Sequence, residues 1–187
     1  MNKASQQYLL RLARQTLEYY FASGNVLYIA ENQLDTDLIE QRGTFVTLTK
    51  HGQLRGCIGH IEPVQEIYKD VIDNALAAAF QDSRFLPLRR EELPDVEIEI
   101  SVLTLPEELK YTSVADLLVK IIPLKHGVII QKGRQSATYL PQVWENLSDK
   151  EDFLTSLCLK AGLQSDEWQT GNLEIQTYQA EVFAEKS

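Results

Sequence analysis

Residues 44–60 read TFVTLTKHGQLRGCIGH and form a strong hairpin pattern. Residues 45–49 are rich in β-branched and aromatic types, residues 50–53 have the composition of a turn, and residues 54–60 return. The pattern predicts a β-hairpin. If the returning strand is regular, alternation places Leu54 and Ile58 on the core face, with Arg55 and Cys57 together on the opposite face.

Helical and alternating segments flank this hairpin. Apolar residues recur at helical spacing over residues 8–21, and Gly24 follows as a stop signal. After the hairpin, Pro63 suits the first turn of a second helix, whose apolar stripe runs over residues 67–80. Residues 96–102 alternate between apolar and polar, which predicts a strand with one solvated face.

The second half of the chain repeats this order of elements. A hairpin is predicted around Lys132-Gly133-Arg134, and a helix opens at a capping box formed by Ser148 and Glu151. Gly162 suits the end of that helix, and an alternating segment over residues 173–183 closes the chain. The repeat predicts an α+β fold built by internal duplication of a hairpin–helix–strand unit.

No linker rich in proline, glycine or serine separates the two repeats. We therefore expect a single domain over residues 1–187, in which the repeats would form subdomains of about 1–110 and 111–187.

Composition narrows the classes of function. The chain has 187 residues, 44% of them hydrophobic and 24% charged, and a net charge of −9, which argues against nucleic acid and anionic membranes as partners. Its apolar runs fall far short of the roughly 20 residues of a membrane span. We expect a cytoplasmic protein. The two cysteines are a hundred positions apart and the histidines form no ligand pattern, so no metal and no cofactor are predicted.

Several segments together resemble the AMMECR-type domain family. The resemblance rests on the signature Leu54-Arg55-Gly56-Cys57-Ile58-Gly59 and on further matches in the same order. These are GTFVTL (43–48), NA (74–75), AAF (78–80), DSRF (82–85), PL (87–88), EEL (91–93), SVLT (101–104), HG (126–127), YLP (139–141), Val143 and KAGL (160–163).

The resemblance implies an α+β fold with a curved, barrel-like mixed or antiparallel sheet flanked by helices. It also implies association with a Memo-type protein and with a radical SAM enzyme. It implies no established reaction, and His60, which follows the signature, is given no role.

Cys57 has two interpretations. In the first, Arg55 lowers the pKa of the thiol and the flanking Gly56 and Gly59 let a substrate approach, so that Arg55, Gly56, Ile58 and Gly59 of the motif are the candidate binding residues. In the second, Cys57 packs as a small hydrophobic residue and Gly56 marks a bulge that reverses the alternation.

Three further residues are candidates for the same site. Asp82 and Arg84 either line a pocket with Cys57 or form an ion pair that locks a loop. His126 is the candidate base for the thiol, although a histidine beside a turn is more often solvated.

These observations leave two main hypotheses. The chain is either an enzyme component, in which Cys57 is a nucleophile, carrier or redox centre, or a non-catalytic binding module with a glycine-lined groove for a Memo-type partner. RNA binding is the weakest alternative because of the negative charge.

Overall fold

The computed structural model describes residues 1–185, apart from the side chain of Gln33. The α-helices are α1 (Lys3–Ser23), α2 (Thr36–Ile39), α3 (Ile67–Phe80), α4 (Val114–Lys120) and α5 (Lys150–Lys160). The strands are β1 (Thr44–Lys50), β2 (Gln53–Gly59), β3 (Val96–Leu103), β4 (Glu107–Glu108), β5 (Gly127–Lys132), β6 (Gln135–Tyr139), β7 (Glu174–Tyr178) and β8 (Ala180–Ala184). Short 3-10 helices cover Glu31–Gln33, Arg90–Asp95, Pro141–Glu145 and Glu167–Thr170.

The chain divides into two compact units. The first comprises residues 1–103 together with the C-terminal segment that begins at Glu181, and the second comprises residues 104–180. The final alternating segment is therefore two strands, β7 in the second unit and most of β8 in the first.

The first unit is built on the predicted hairpin. Its sheet has the order β2-β1-β3-β8, and β1 pairs antiparallel with both β2 and β3. His51 and Gly52 connect β1 to β2 with positive φ angles of 52° and 74°, which is the geometry of a tight hairpin turn. Val46 and Leu48 of β1 are fully buried, so one face of the sheet forms the core with α1 and α3.

A β-bulge interrupts the returning strand. Leu48 pairs with Gly56 but Thr49 pairs with Leu54, which leaves Arg55 as the extra residue. The regular alternation expected for this strand is therefore wrong before Gly56. Leu54 lies on the outer face and is 43% exposed, whereas Ile58 packs against the core as predicted.

Helix α1 ends where the sequence predicts, because Gly24 has a φ of 72° and its N–H bonds to the Tyr20 carbonyl oxygen. Helix α3 begins at Ile67, four residues after Pro63, so Pro63 does not open the helix. The Ile67 N–H donates to the carbonyl oxygen of Glu40, a contact that ties the start of the helix to an earlier loop.

The second unit has a sheet of the order β4-β7-β5-β6. Its core stacks Trp144 on Phe153, with 3.6 Å between the ring centroids. Asp149 caps α5 by accepting the N–H groups of Glu151 and Asp152, so the cap lies one residue after the predicted Ser148.

The two sheets confirm the internal duplication. In each, the first hairpin strand lies inside, the second lies at the edge, and the strand that follows the helix pairs antiparallel with the first. The fold is thus α+β, as predicted, with two four-stranded antiparallel sheets flanked by helices. The curved, barrel-like closure that the resemblance implied stays a prediction. Within residues 1–185, no helix is long and apolar enough to cross a membrane.

Candidate functional site

Cys57 lies on the face of β2 that points away from the core. It pairs with Thr47 of β1, which in turn pairs with Glu99 of β3, so the thiol lies on a polar stripe across three strands. The Thr47 hydroxyl donates to the Cys57 sulfur at 3.3 Å, and the cysteine is half-buried.

The surroundings of this thiol disfavour the thiolate. Burial raises the pKa of Cys57 above its ordinary value, and the nearby carboxylates of Asp82 and Glu99 act in the same direction. The Thr47 hydroxyl and the Arg84 guanidinium oppose this shift without reversing it. Cys57 is therefore a neutral thiol near pH 7, which is a poor nucleophile.

Arg55 does not tune the thiol, contrary to the first interpretation of Cys57. Its guanidinium forms a two-point pair with Glu92, at 3.0 Å from Nη2 to Oε2 and 3.2 Å from Nε to Oε1. The bulge at Arg55 directs the side chain toward the 3-10 helix that contains Glu92. Arg84 is the cation that acts on Cys57.

Asp82 and Arg84 bind the backbone of Cys57. The Asp82 carboxylate accepts the Cys57 N–H at 2.9 Å, and Arg84 Nη2 donates to the Cys57 carbonyl oxygen at 3.3 Å. The two side chains also pair with each other, at 2.9 Å and 2.7 Å, and this pair holds the pKa of Asp82 well below its usual range. Because β2 is an edge strand, the ion pair occupies hydrogen-bonding groups that a neighbouring strand would otherwise use.

Three cationic side chains contact the carboxylate of Glu92. Besides Arg55, Lys50 contacts its carboxylate at 3.3 Å and Arg89 at 3.6 Å. The hydrogen bonds from Arg55 contribute most to lowering the pKa of Glu92 to about 2. Three positive side chains thus share one carboxylate, which leaves a local surplus of positive charge.

A cavity of about 500 Å³ opens beside this cluster. The residues that line it come from the signature strand, from the DSRF segment, from the 3-10 helix and from the connection between the last two. They are Arg55, Arg84, Phe85, Leu86, Pro87, Arg89 and Glu92. The structure therefore brings the predicted binding residues Arg55 and Arg84 together in one cavity, and it adds Arg89 and Glu92, which the sequence analysis did not select.

The glycines of the signature do not line a groove. A Cβ on Gly56 would lie 3.0 Å from the backbone carbonyl carbon of Ala78 in α3 and closer still to its oxygen. A Cβ on Gly59 would meet the Phe45 ring and the Thr44 carbonyl. The space beside these glycines is filled by the protein's own backbone and side chains, and Ile58 packs into the core. The prediction of a glycine-lined groove is therefore wrong.

His126, the candidate base, belongs to the second unit. Its Nδ1 lies 3.3 Å from the backbone N–H of Ile122 and accepts from it. Burial lowers the pKa of His126, so the ring is neutral and carries its proton on Nε2. In this state neither ring nitrogen has a free lone pair. The role of general base for the thiol, predicted for His126, stays a prediction without support from the geometry of the ring.

A polar cluster that joins His60 to the buried Asp70 was not predicted from the sequence. His60 Nδ1 lies 2.7 Å from the carboxylate of Asp70, which is 1% exposed. The Thr44 hydroxyl and the Asn74 amide also donate to that carboxylate, at 2.6 Å and 3.0 Å. The cluster joins the start of β1 and the end of β2 to α3. Its only sequence signal is the i, i+4 spacing of Asp70 and Asn74 in the helix.

Comparison with known proteins identifies relatives of this chain. The family model described as AMMECR1 matches residues 10–183. Protein MK0488 of Methanopyrus kandleri is 40% identical over 184 residues, covering 96% of this chain and 88% of that protein. Protein NEQ441 of Nanoarchaeum equitans is 37% identical over 179 residues, covering 95% and 98%.

A solved structure has the same fold. The crystal structure of the uncharacterized protein PH0010 from Pyrococcus horikoshii superimposes with a TM-score of 0.87 at 34% identity. The match covers 96% of this chain and 90% of that one.

Proposed function

Because the chain belongs to the AMMECR1 family, we propose a function for the surface that its signature residues build: the cavity beside β2 docks an acidic segment of a partner protein. The chain is on this view a non-catalytic binding module. The observation that carries the proposal is the surplus of positive charge around Glu92, at the wall of an open cavity.

The charge count favours an acidic ligand. Lys50, Arg55 and Arg89 share the single carboxylate of Glu92, so the cluster keeps two positive charges in a protein whose net charge is −9. Arg89 is the most available of the three, since its side chain is 77% exposed. Arginines in a partly desolvated setting bind carboxylates through paired hydrogen bonds and are frequent at the centres of interfaces.

Apolar side chains accompany these cations. Leu86 at the rim of the cavity is 83% exposed, and Leu54, next to Arg55 in β2, is 43% exposed. An apolar contact ringed by charged groups is typical of a protein-binding surface. The expected ligand is therefore a protein segment with carboxylates beside an apolar side chain.

The state of the thiol supports a binding role over a catalytic one. Cys57 has a raised pKa, and its Thr47 and Asp82 contacts hold the strand in place. In the system that the resemblance implies, the chemistry would then belong to the Memo-type protein and the radical SAM enzyme, and this chain would dock one of them.

Isothermal titration with the purified Memo-type protein and radical SAM enzyme of the same genome tests the proposal. We expect one of them to bind, and Arg89→Glu to weaken that binding about tenfold because it reverses the most exposed charge. Lys110→Glu is the matched control, since Lys110 is 83% exposed and lies in the second unit. Its affinity should equal that of the wild type.

Cys57→Ser tests whether the sulfur itself takes part in docking. The binding module keeps full affinity without the sulfur. Loss of binding in Cys57→Ser, or equal affinities for Arg89→Glu and the wild type, would overturn the proposal.

A further inference from the structure

Leu124 adopts a backbone conformation that leucine rarely takes. Its φ is 62°, and it follows Pro123 in the connection between α4 and β5. The Lys125 N–H bonds to the Ile122 carbonyl oxygen at 3.3 Å, so residues 122–125 form a β-turn with proline second and the left-handed residue third. Glycine or asparagine normally occupies that third position.

The Leu124 side chain makes no buried contact that would compensate for this strain. It is 65% exposed, so it adds little burial to the core. His51, the other non-glycine residue with positive φ among the described residues, is polar and precedes Gly52 in a hairpin turn, where such geometry is usual. Leu124 is thus both strained and solvated, which are two costs that asparagine would avoid.

The turn that presents Leu124 is firmly held. The Ile122 carbonyl oxygen also accepts the His126 N–H at 3.0 Å, and the Ile122 N–H donates to the His126 ring. Trp144 donates its indole N–H to the His126 carbonyl oxygen at 2.7 Å and anchors the turn to the core of the second unit. A turn whose backbone is held in this way loses little backbone freedom when it binds a partner.

The surroundings of Leu124 are apolar and basic. Val119 and Ile122 are 76% and 45% exposed, and Lys125 is adjacent to the leucine. Residues 117–126 contain no carboxylate, although the chain has 27 acidic residues. Among the described residues, no carboxylate pairs with Lys125, whereas Lys120 pairs with Asp116. Charge complementarity therefore points to an acidic ligand.

We propose that Val119, Ile122, Leu124 and Lys125 form a second protein-binding surface, the turn surface, and that its occupant is an acidic, leucine-bearing segment of a partner protein. Leu124 is the anchor, and Lys125 selects carboxylates beside the contact. This surface lies wholly in the second unit and acts independently of the cavity beside β2.

Two synthetic twelve-residue peptides test the proposal by NMR titration. One alternates leucine with glutamate and the other alternates leucine with lysine. We expect the acidic peptide to shift the amide signals of residues 119–126 and the basic peptide to leave them unchanged. Leu124→Asn should weaken the acidic peptide's effect about tenfold and raise the melting temperature, because asparagine fits the left-handed position.

Leu159→Asn is the matched control, since Leu159 is a 59% exposed leucine in α5 of the same unit, and it should bind the acidic peptide like the wild type. Arg89→Glu should also leave the signals of residues 119–126 responsive, which separates this surface from the β2 cavity. The proposal is overturned if neither peptide shifts those signals, or if Leu124→Asn lowers the melting temperature. It is also overturned if phosphatidylglycerol vesicles or a second copy of the chain, detected by sedimentation, occupy the surface in place of the acidic peptide.

Discussion

Replacing Gly56 by alanine tests whether the signature is required for packing. The new Cβ would lie 3.0 Å from the Ala78 carbonyl carbon and 3.6 Å from its Cα, with the carbonyl oxygen closer still. These atoms are helix backbone, so no side-chain rotation can relieve the contact, and α3 must move away from β2 by about 1 Å.

The expected cost follows from this geometry. Overpacking of a core costs about 1–3 kcal/mol, and the rigid neighbour places Gly56→Ala near the upper end. Alanine offsets roughly 0.5 kcal/mol of this by restricting the unfolded chain. A net loss of about 2.5 kcal/mol corresponds to a fall in melting temperature of roughly 5–10 °C for a chain of this size.

Urea unfolding and thermal melts measure this loss. Cys57→Ala is the control on the adjacent residue, because its side chain lies on the opposite face and its removal should cost about 1 kcal/mol or less. If the free energy of unfolding of Gly56→Ala lies within about 0.5 kcal/mol of the wild-type value, the close approach of α3 and β2 does not constrain position 56 and the reasoning fails.

Two further predictions concern titration. Because burial raises the pKa of Cys57, the rate of its alkylation by iodoacetamide should still increase above pH 9. The fully buried Cys158 should react only on unfolding. A rate for Cys57 that levels off near pH 7 would contradict the raised pKa. Because burial lowers the pKa of His126 below 6.5, the neutral ring contributes its full stability above pH 6.5, and this contribution is lost as the pH falls from there through the lowered pKa of the folded state. The difference in unfolding free energy between the wild type and His126→Gln should therefore shrink from pH 7.5 to pH 5, and parallel pH profiles would refute the assignment.

The repeated order of elements could be predicted from the sequence because each element has a local signal. Alternation over residues 96–102 gave β3, and the glycines at 24 and 162 adopt the positive φ angles expected of helix stops. The two hairpins lie where the turn residues placed them, and their sheet order confirms the duplication.

The details that failed depend on contacts distant in sequence. The bulge that exposes Leu54 arises where Arg55 turns toward Glu92, 37 residues away. Gly56 was expected to line a groove because a sequence does not show which helix will cross it. The strain at Leu124 was also invisible, since Pro-Leu is an ordinary pair until its φ angle is known.

The contacts of Asp82 and Arg84 with β2 have a consequence for how the signature varies. Both side chains bind the backbone N–H and carbonyl of position 57, and every residue type except proline offers these two groups. The ion pair is therefore indifferent to the identity of the side chain at 57. Across relatives, positions 82 and 84 should change together. The cysteine at position 57 can be exchanged without loss of the hydrogen bonds that cover the edge of β2. The proximity of Cys57 in the signature to Asp82 and Arg84 in the DSRF segment thus reflects the protection of a strand edge, and it is no evidence of shared chemistry.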